Sequence, residues 1–279
     1  MPELPEVETI KTAIAQAIGH CNITAVKVNN NKFREMIPAD LAEKFRGVQI
    51  SGYRRIAKYI IIDCANGLSL IWHLGMSGRV KITNNLPNPL EKHDHVVIST
   101  DKGYLIFHDP RRFGLLTYSP TEDLECHHLL NHLGPDPFSR DFNAAYLYEE
   151  LQKKKVPVKV ALLDQEIVVG IGNIYASETL YCAGILPTRP ANRISFKECE
   201  SIVREARAVL TKAIEAGGST LRDYQKPDGS LGYFQNQHCV YNKTGQKCPD
   251  CQCDINLTGG IKRIVQAGRS TYFCPVKQK

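Results

Sequence analysis

Met1-Pro2-Glu3-Leu4-Pro5-Glu6-Val7-Glu8-Thr9-Ile10 opens the chain and sets its reading. Leu4, Val7, Ile10, Ile14 and Ala17 recur at helical spacing, Pro2 or Pro5 suits a first turn, and Gly19 closes the segment. Short β-rich runs follow at Ile23–Val28, Val48–Ile56, Tyr59–Cys64, Leu68–His73, Val96–Thr100, Tyr104–His108 and Leu115–Tyr118. Closely spaced strands behind one helix predict a sandwich or barrel. The pattern turns helical after Gly134-Pro135-Asp136-Pro137. Asp141 is placed to cap a helix to about Gln152, and a second helix opens at Asn173 after Gly170-Ile171-Gly172. A long helix starts at Ser195, where Ser195 and Glu198 form a capping box, and ends at Gly217-Gly218. Its apolar face is Cys199, Ile202, Val203, Ala206, Val209, Leu210 and Ala213.

Composition narrows the class. No run approaches the roughly 18 apolar residues of a membrane helix, and the N-terminus lacks a signal peptide's basic start and apolar stretch. The expectation is a soluble cytoplasmic protein without membrane attachment. Of ten cysteines, five are scattered and five fall between Cys239 and Cys274, which points to metal binding rather than a disulfide scaffold. Net charge is +6, and from Val240 to Lys279 seven Lys or Arg face two Asp. Such a tail suits a phosphate backbone, or forms a solvated surface.

Pro2 is the most reactive candidate. Removal of Met1 before a small second residue would leave a secondary amine. An α-amino group titrates near about 7.7–8.0, so a useful fraction is free to attack a sugar C1′. Glu3 stands beside it as a proton carrier. The bland alternative is that Pro and Glu merely favour a helix start.

Blocks along the chain resemble one family. MPELPEVE, Arg54-Arg55-Ile-Ala-Lys58-Tyr59, His73-Leu-Gly-Met76-Ser-Gly78, Lys92-His93-Asp-His95-Val96, Asp109-Pro-Arg111-Arg112-Phe113-Gly114, Gly170-Ile-Gly-Asn173-Ile-Tyr175 and Gly268-Arg269-Ser-Thr-Tyr-Phe-Cys274 occur in the order found in formamidopyrimidine-DNA glycosylases. The resemblance implies an α+β protein: an N-terminal catalytic β-sandwich domain with an N-terminal helix (1–134), a helix–two-turn–helix domain with a lesion-covering loop (135–234), and a zinc-finger-like hairpin (235–279). It implies a monomeric base-excision enzyme that removes oxidised purines from double-stranded DNA and nicks at abasic sites by β,δ-elimination. Pro2 would be the Schiff-base nucleophile, Glu3 the acid/base, and Lys58 and Arg269 phosphate-binding cations. Met76, Arg111 and Phe113 would fill the gap left by an everted base; core packing is the alternative for Met76 and Phe113. His93, Lys154, Lys159 and Asn173 match DNA-contact positions, and His73 is either a phosphate contact or a satisfied core histidine. Thr220-Leu-Arg222-Asp-Tyr224 through Gly232-Tyr-Phe234 resembles the loop over an everted purine. That loop and Leu4 favour purines over the oxidised pyrimidines of endonuclease VIII; a non-catalytic damaged-DNA binder is the third reading.

The tail departs from the family. The implied structural zinc site has two Cys-x-x-Cys pairs. Here Cys248 and Cys251 form the first, but Cys274 is followed by Lys277 where the fourth cysteine belongs. The 22 residues between Cys251 and Cys274 exceed the usual spacing. His238, Cys239 or Cys253 could complete the tetrahedron, with Cys253 disfavoured as too near Cys251; a zincless hairpin is the alternative.

Overall fold

The computed structural model describes all 279 residues except 220–226, 228 and 231. Most of the lesion-covering loop expected from the sequence thus lies outside the described residues. The chain forms two compact units, residues 1–132 with 214–235, and residues 133–213 with 236–279.

In the first unit, α1 (Leu4–Ile18) leads into β1 (Asn22–Val28), a short α2 (Leu41–Phe45), and β2 (Val48–Ile56), β3 (Tyr59–Cys64), β4 (Leu68–His73), β5 (Arg79–Thr83), β6 (Asp94–Thr100), β7 (Gly103–His108) and β8 (Leu115–Pro120). The strand order is β5-β7-β6-β1-β2-β3-β4-β8, with antiparallel neighbours throughout. Only Asn22↔Gln49 and Ile23↔Val48 join β1 to β2. That thin seam divides the strands into two four-stranded halves, and the inner faces of both close on one core, giving the expected sandwich. Ile23, Ile98, Leu105 and Phe107 come from one half, Ile60, Ile62, Leu70 and Trp72 from the other. Val7, Ile10, Ile14 and Ile18 of α1 pack into the same core. Ile18, not Ala17, completes that apolar stripe.

The second unit carries α3 (Ala144–Gln152), α4 (Val158–Leu162), α5 (Asn173–Cys182) and most of α6 (Phe196–Glu215). Asn143 rather than Asp141 caps α3, its side-chain oxygen accepting the Tyr146 N–H at 3.0 Å. The Ser195–Glu198 box is present: Glu198 accepts the Ser195 N–H at 2.8 Å, and Ser195 Oγ receives the Glu198 N–H at 3.4 Å. Residues Ile174 to Tyr181 of α5 are buried on every side, as suits a central helix. The chain ends in α7 (Ile255–Thr258) and a hairpin of β9 (Lys262–Gln266) and β10 (Arg269–Phe273). Among the described residues, no helix is long and apolar enough to cross a membrane.

Candidate DNA-processing site and metal centre

The front of α1 is fastened from within. Pro2 and Glu3 are buried ahead of the first turn. Glu6 Oε2 accepts the Glu3 N–H at 2.8 Å, and Glu6 Oε1 accepts the Ser219 N–H at 2.7 Å. A Cβ on Gly218, whose φ is +81°, would lie 2.9 Å from Glu6, so the 217–219 turn needs glycine to approach this carboxylate. Sequence reading missed Glu6; its place three residues after Glu3 was the available signal.

Lys58 follows the tight β2–β3 turn at Ala57, whose φ is 54°, and is buried. The turn is tied to α1 by Arg55 Nε donating to Glu8 at 2.8 Å. His73 pairs with Tyr59 across β3 and β4. Burial, with the charges of Lys58 and Arg34, pulls the His73 imidazole down to about 4. Its Nδ1 accepts the Gly75 N–H at 3.0 Å. The neutral ring therefore carries its proton on Nε2, as a donor.

Two loops bring the void-filling candidates together. A Cβ on Gly75 (φ +64°) would sit 2.4 Å from the Phe113 carbonyl carbon, so the Met76 loop touches the Arg111–Phe113 loop backbone to backbone. Asp109, fully buried, clamps both. Its carboxylate accepts the Ser77 hydroxyl at 2.7 Å and the Gly114 N–H at 2.8 Å. Its backbone joins the His93 segment: Asp109 N–H donates to His93 O, and His95 Nε2 reaches Asp109 O, both at 3.0 Å. Met76 is 40% and Phe113 46% exposed, so neither is core. The Arg111 guanidinium stacks over the Phe113 ring at 4.6 Å. Asp109 was not singled out from sequence, because nothing local marks it as a shared acceptor.

In the second unit, Asn173 starts α5 beneath Gly172. Its amide donates to Ser270 O at 2.9 Å and to the Tyr241 hydroxyl at 3.2 Å. Lys159 is fully buried; its ammonium donates to Asn173 Oδ1 at 2.6 Å, Thr271 Oγ1 at 2.7 Å and Ser270 O at 3.1 Å. It acts as a joint between α4, α5 and β10. Lys154 is ion-paired with Asp164 at 3.1 Å, and Arg269 is exposed where β10 leaves the hairpin turn. Glu178, unremarked in the sequence, is buried in α5 and accepts the N–H groups of Cys239, Val240 and Tyr241 at 2.6, 3.0 and 2.7 Å. It holds the root of the cysteine-rich tail.

That tail corrects the ligand ranking. Cys248, Cys251, Cys253 and Cys274 gather with all four sulfurs within 4.8 Å of one another. Cys248 Sγ lies 2.8, 3.8 and 3.4 Å from the sulfurs of Cys251, Cys253 and Cys274. Zinc bound to four thiolates at about 2.3 Å separates its sulfurs by roughly 3.8 Å, so the set fits such an ion after small outward shifts. Cys253 supplies the fourth sulfur of the cluster, on a stretch, 251–254, that lies outside helix and strand and leaves one residue between it and Cys251. Lys277 instead donates to Asp250 at 3.1 Å and lies 4.1 Å over the Tyr181 ring. Burial raises the Cys248 thiol, but hydrogen bonds from Cys251, Cys274, Tyr181 and Cys253 outweigh it and bring it down to about 7, nearer the thiolate a metal needs. Glu91, Asp94 and His108 also converge, but the Lys81 ammonium already bridges those carboxylates at 2.7 and 2.8 Å.

The formamidopyrimidine-DNA glycosylase N-terminal domain matches residues 1–116, and the H2TH domain of the same glycosylases matches residues 133–225. Formamidopyrimidine-DNA glycosylases of Rhodospirillum rubrum and Thioalkalivibrio sulfidiphilus are 44% and 43% identical, with full coverage of each chain. The Thermus thermophilus MutM (Fpg) crystal structure superposes with a TM-score of 0.87 at 35% identity, covering 99% of this chain and 98% of that one. A Lactococcus lactis FPG mutant in complex with a Fapy-dG containing DNA gives 0.90 at 34%, with full coverage of both. Fold and matches together define a DNA-binding glycosylase of base-excision repair. Within that class, the chain belongs to the formamidopyrimidine-DNA glycosylase family.

Proposed function

We propose that this chain excises oxidised purines, 8-oxoguanine and formamidopyrimidines, from duplex DNA and then nicks the strand by β,δ-elimination. The observation that carries the reading is the buried Pro2–Glu3 pair at the head of a helix locked by Glu6, in a chain 44% identical to a curated formamidopyrimidine-DNA glycosylase. With Met1 removed, the Pro2 nitrogen attacks C1′ of the everted nucleotide and the glycosidic bond breaks, the base leaving with a proton. The C1′–O4′ bond then breaks, O4′ taking a proton, and the resulting ring-opened iminium acidifies C2′–H. Loss of that proton expels the 3′ phosphate, and a second elimination expels the 5′ phosphate. Glu3 moves the protons.

Lys58, His73 and Arg269 supply cationic or N–H donors for the flanking phosphates. Met76, Arg111 and Phe113 enter the vacated stack. His93 and Lys154 contact the DNA backbone, Lys154 after leaving Asp164. Asn173 acts at the start of α5, and Lys159 positions it. Residues 1–134, 135–234 and 235–279 then divide into catalytic, helix–two-turn–helix and finger functions, working as a monomer in the cytoplasm. Zinc held by Cys248, Cys251, Cys253 and Cys274 would cross-link the finger that carries Arg269, with no part in bond breaking.

Relatives have been solved with Fapy-dG and abasic-site DNA, which supports the substrate class. Paired duplexes test it: 8-oxoguanine opposite cytosine should be nicked far faster than thymine glycol. The reverse preference would move the chain to the pyrimidine-directed branch, and no cleavage of either would leave it a binder.

A further inference from the structure

We infer that Glu8 and Arg55 are positioning residues for the strand-nicking chemistry, together setting how far the Pro2 nucleophile stands from the Lys58 phosphate clamp. The inference rests on the activity proposed above and adds two residues to it. Pro2 precedes α1 and Lys58 follows β2, so the two groups ride on different elements. A sugar carbon and its flanking phosphate are joined through a few covalent bonds, so the enzyme must hold both partners in register at once. A tie between α1 and the β2–β3 turn meets that need.

Arg55 is shaped to be the tie. Neighbouring residues of a strand point to opposite faces. Arg54 forms a bidentate pair with Asp63 of β3, both bonds at 2.7 Å, and 46% of its side chain is exposed. Arg55 turns toward α1, and only 9% of its side chain is exposed. Its Nε donates to Glu8 Oε2 at 2.8 Å, and its Nη1 donates to the Ala57 carbonyl at 3.3 Å. That carbonyl belongs to the peptide unit leading into Lys58. Ala57 itself holds φ at 54°, a conformation that a residue with a side chain keeps only when its surroundings impose it. One guanidinium thus grips the helix with one arm and the strained turn with the other.

Glu8 is held in its turn. Its Oε1 accepts the Lys11 ammonium at 2.5 Å. Burial raises the Glu8 carboxyl, but the hydrogen bonds and charges of Lys11 and Arg55 outweigh it and keep it below its ordinary value, so it stays ionised. Glu8 lies four residues after Leu4, about 6 Å of helix rise, and a helix is stiff enough to carry a shift at Glu8 to Pro2. Misplacing reacting groups by about 1 Å costs on the order of a hundredfold in rate. Lysine at position 55 would keep a charge opposite Glu8 but has no second arm for Ala57. Glutamine at position 8 would keep an acceptor for Arg55 Nε. An ion pair that only stabilises the fold tolerates the lysine; a two-armed tie does not.

The test uses the full-length protein and a duplex carrying a natural abasic site. Borohydride-trapped adduct is followed in single turnover at saturating enzyme, and affinity is measured separately on a duplex with a tetrahydrofuran abasic analogue. Glu8→Ala and Arg55→Lys should each slow trapping by about tenfold to a hundredfold, with affinity within about threefold of wild type. Glu8→Gln should trap within about threefold of wild type. The Glu8→Ala/Arg55→Lys double variant should be no slower than the slower single variant, because the two residues act as one unit. Trp72 fluorescence confirms that each variant is folded, and Arg55→Lys and Glu8→Gln, which keep the charge or the acceptor, carry the test if Glu8→Ala does not fold. Trapping at the wild-type rate by folded Arg55→Lys, losses confined to affinity, or losses that multiply in the double variant would overturn the inference. No adduct with the wild-type protein would instead remove the proposed activity, and the inference with it.

Discussion

Replacing Asp109 by Asn should weaken the N-terminal unit and loosen the loops that carry Met76 and Arg111–Phe113, while Asp109→Ala should do so more severely. In the native chain the buried carboxylate accepts the Ser77 hydroxyl and the Gly114 N–H at 2.7 and 2.8 Å, and the Arg111 N–H at 3.3 Å. An amide has one acceptor oxygen. If that oxygen keeps Gly114, the NH2 faces Ser77, whose hydroxyl can turn to accept, but it also confronts the Arg111 N–H. Two charge-assisted bonds become neutral ones, each about 1 kcal/mol weaker. The Asn variant should therefore lose roughly 1–2 kcal/mol. The Ala variant strands the Gly114 N–H and the Ser77 hydroxyl inside and should lose roughly 3–5 kcal/mol. Trp72 is the only tryptophan and is buried in this unit's core, 5.1 Å from Phe107, so its fluorescence in a urea titration reads the change directly. Single-turnover excision should fall about tenfold for Asn, since Met76 and the Arg111–Phe113 pair lose their common anchor. An Asn variant within about 0.3 kcal/mol of wild type, cutting at the wild-type rate, would refute the view of Asp109 as the clamp.

Three further outcomes follow from the geometry. His73 is held neutral and its folded value is depressed to about 4, so the unfolded chain takes up its proton first, below its ordinary value of 6.5; stability is whole above that pH and lost as pH falls toward 4. His73→Gln should remove up to roughly 1.4 kcal/mol per pH unit from that slope, followed by Trp72 fluorescence, and an unchanged slope would mean the ring is not buried neutral. Cys253→Ala should strip most zinc from the purified protein by metal analysis, whereas Lys277→Cys should add none; a gain at residue 277 would restore the two-pair pattern implied by family resemblance. Met76→Ala and Phe113→Ala should each change stability by under about 0.5 kcal/mol, because both side chains are largely solvent-exposed, yet slow base excision strongly; a large stability loss with intact excision would make them packing residues.

The halves of this fold differ in how openly the sequence displays them. Strand periodicity marks β2, β3 and β4, and the Ser195–Glu198 box marks the long helix, because those signals are local. β5 escaped notice: Arg79-Val-Lys-Ile-Thr is short, half-polar and covered on one side only, by pairing with β7. Candidate site residues could be named by motif, but those holding them in place could not. Glu6 and Glu178 accept N–H groups, and Asp109 the Ser77 hydroxyl, from segments distant along the chain (Ser219 to Glu6 spans 213 positions), and no spacing rule encodes such a partner. The metal cluster shows the opposite error. A local rule, that Cys-x-Cys is too tight to share one ion, demoted Cys253, yet on a stretch outside helix and strand, 251–254, the two sulfurs converge. Lys159 adds a point of its own: a lysine matched to a DNA-contact position is fully buried, and its ammonium donates to Asn173, Ser270 and Thr271, a placement no local pattern announces.

The central claim concerns the imino nitrogen at residue 2. Sodium borohydride added during incubation with an 8-oxoguanine duplex should freeze a covalent protein–DNA adduct, and tandem mass spectrometry of its peptides should place the deoxyribose remnant on Pro2. An adduct carried by a lysine side chain, or full strand cleavage by protein whose Met1 is still attached, would contradict the account.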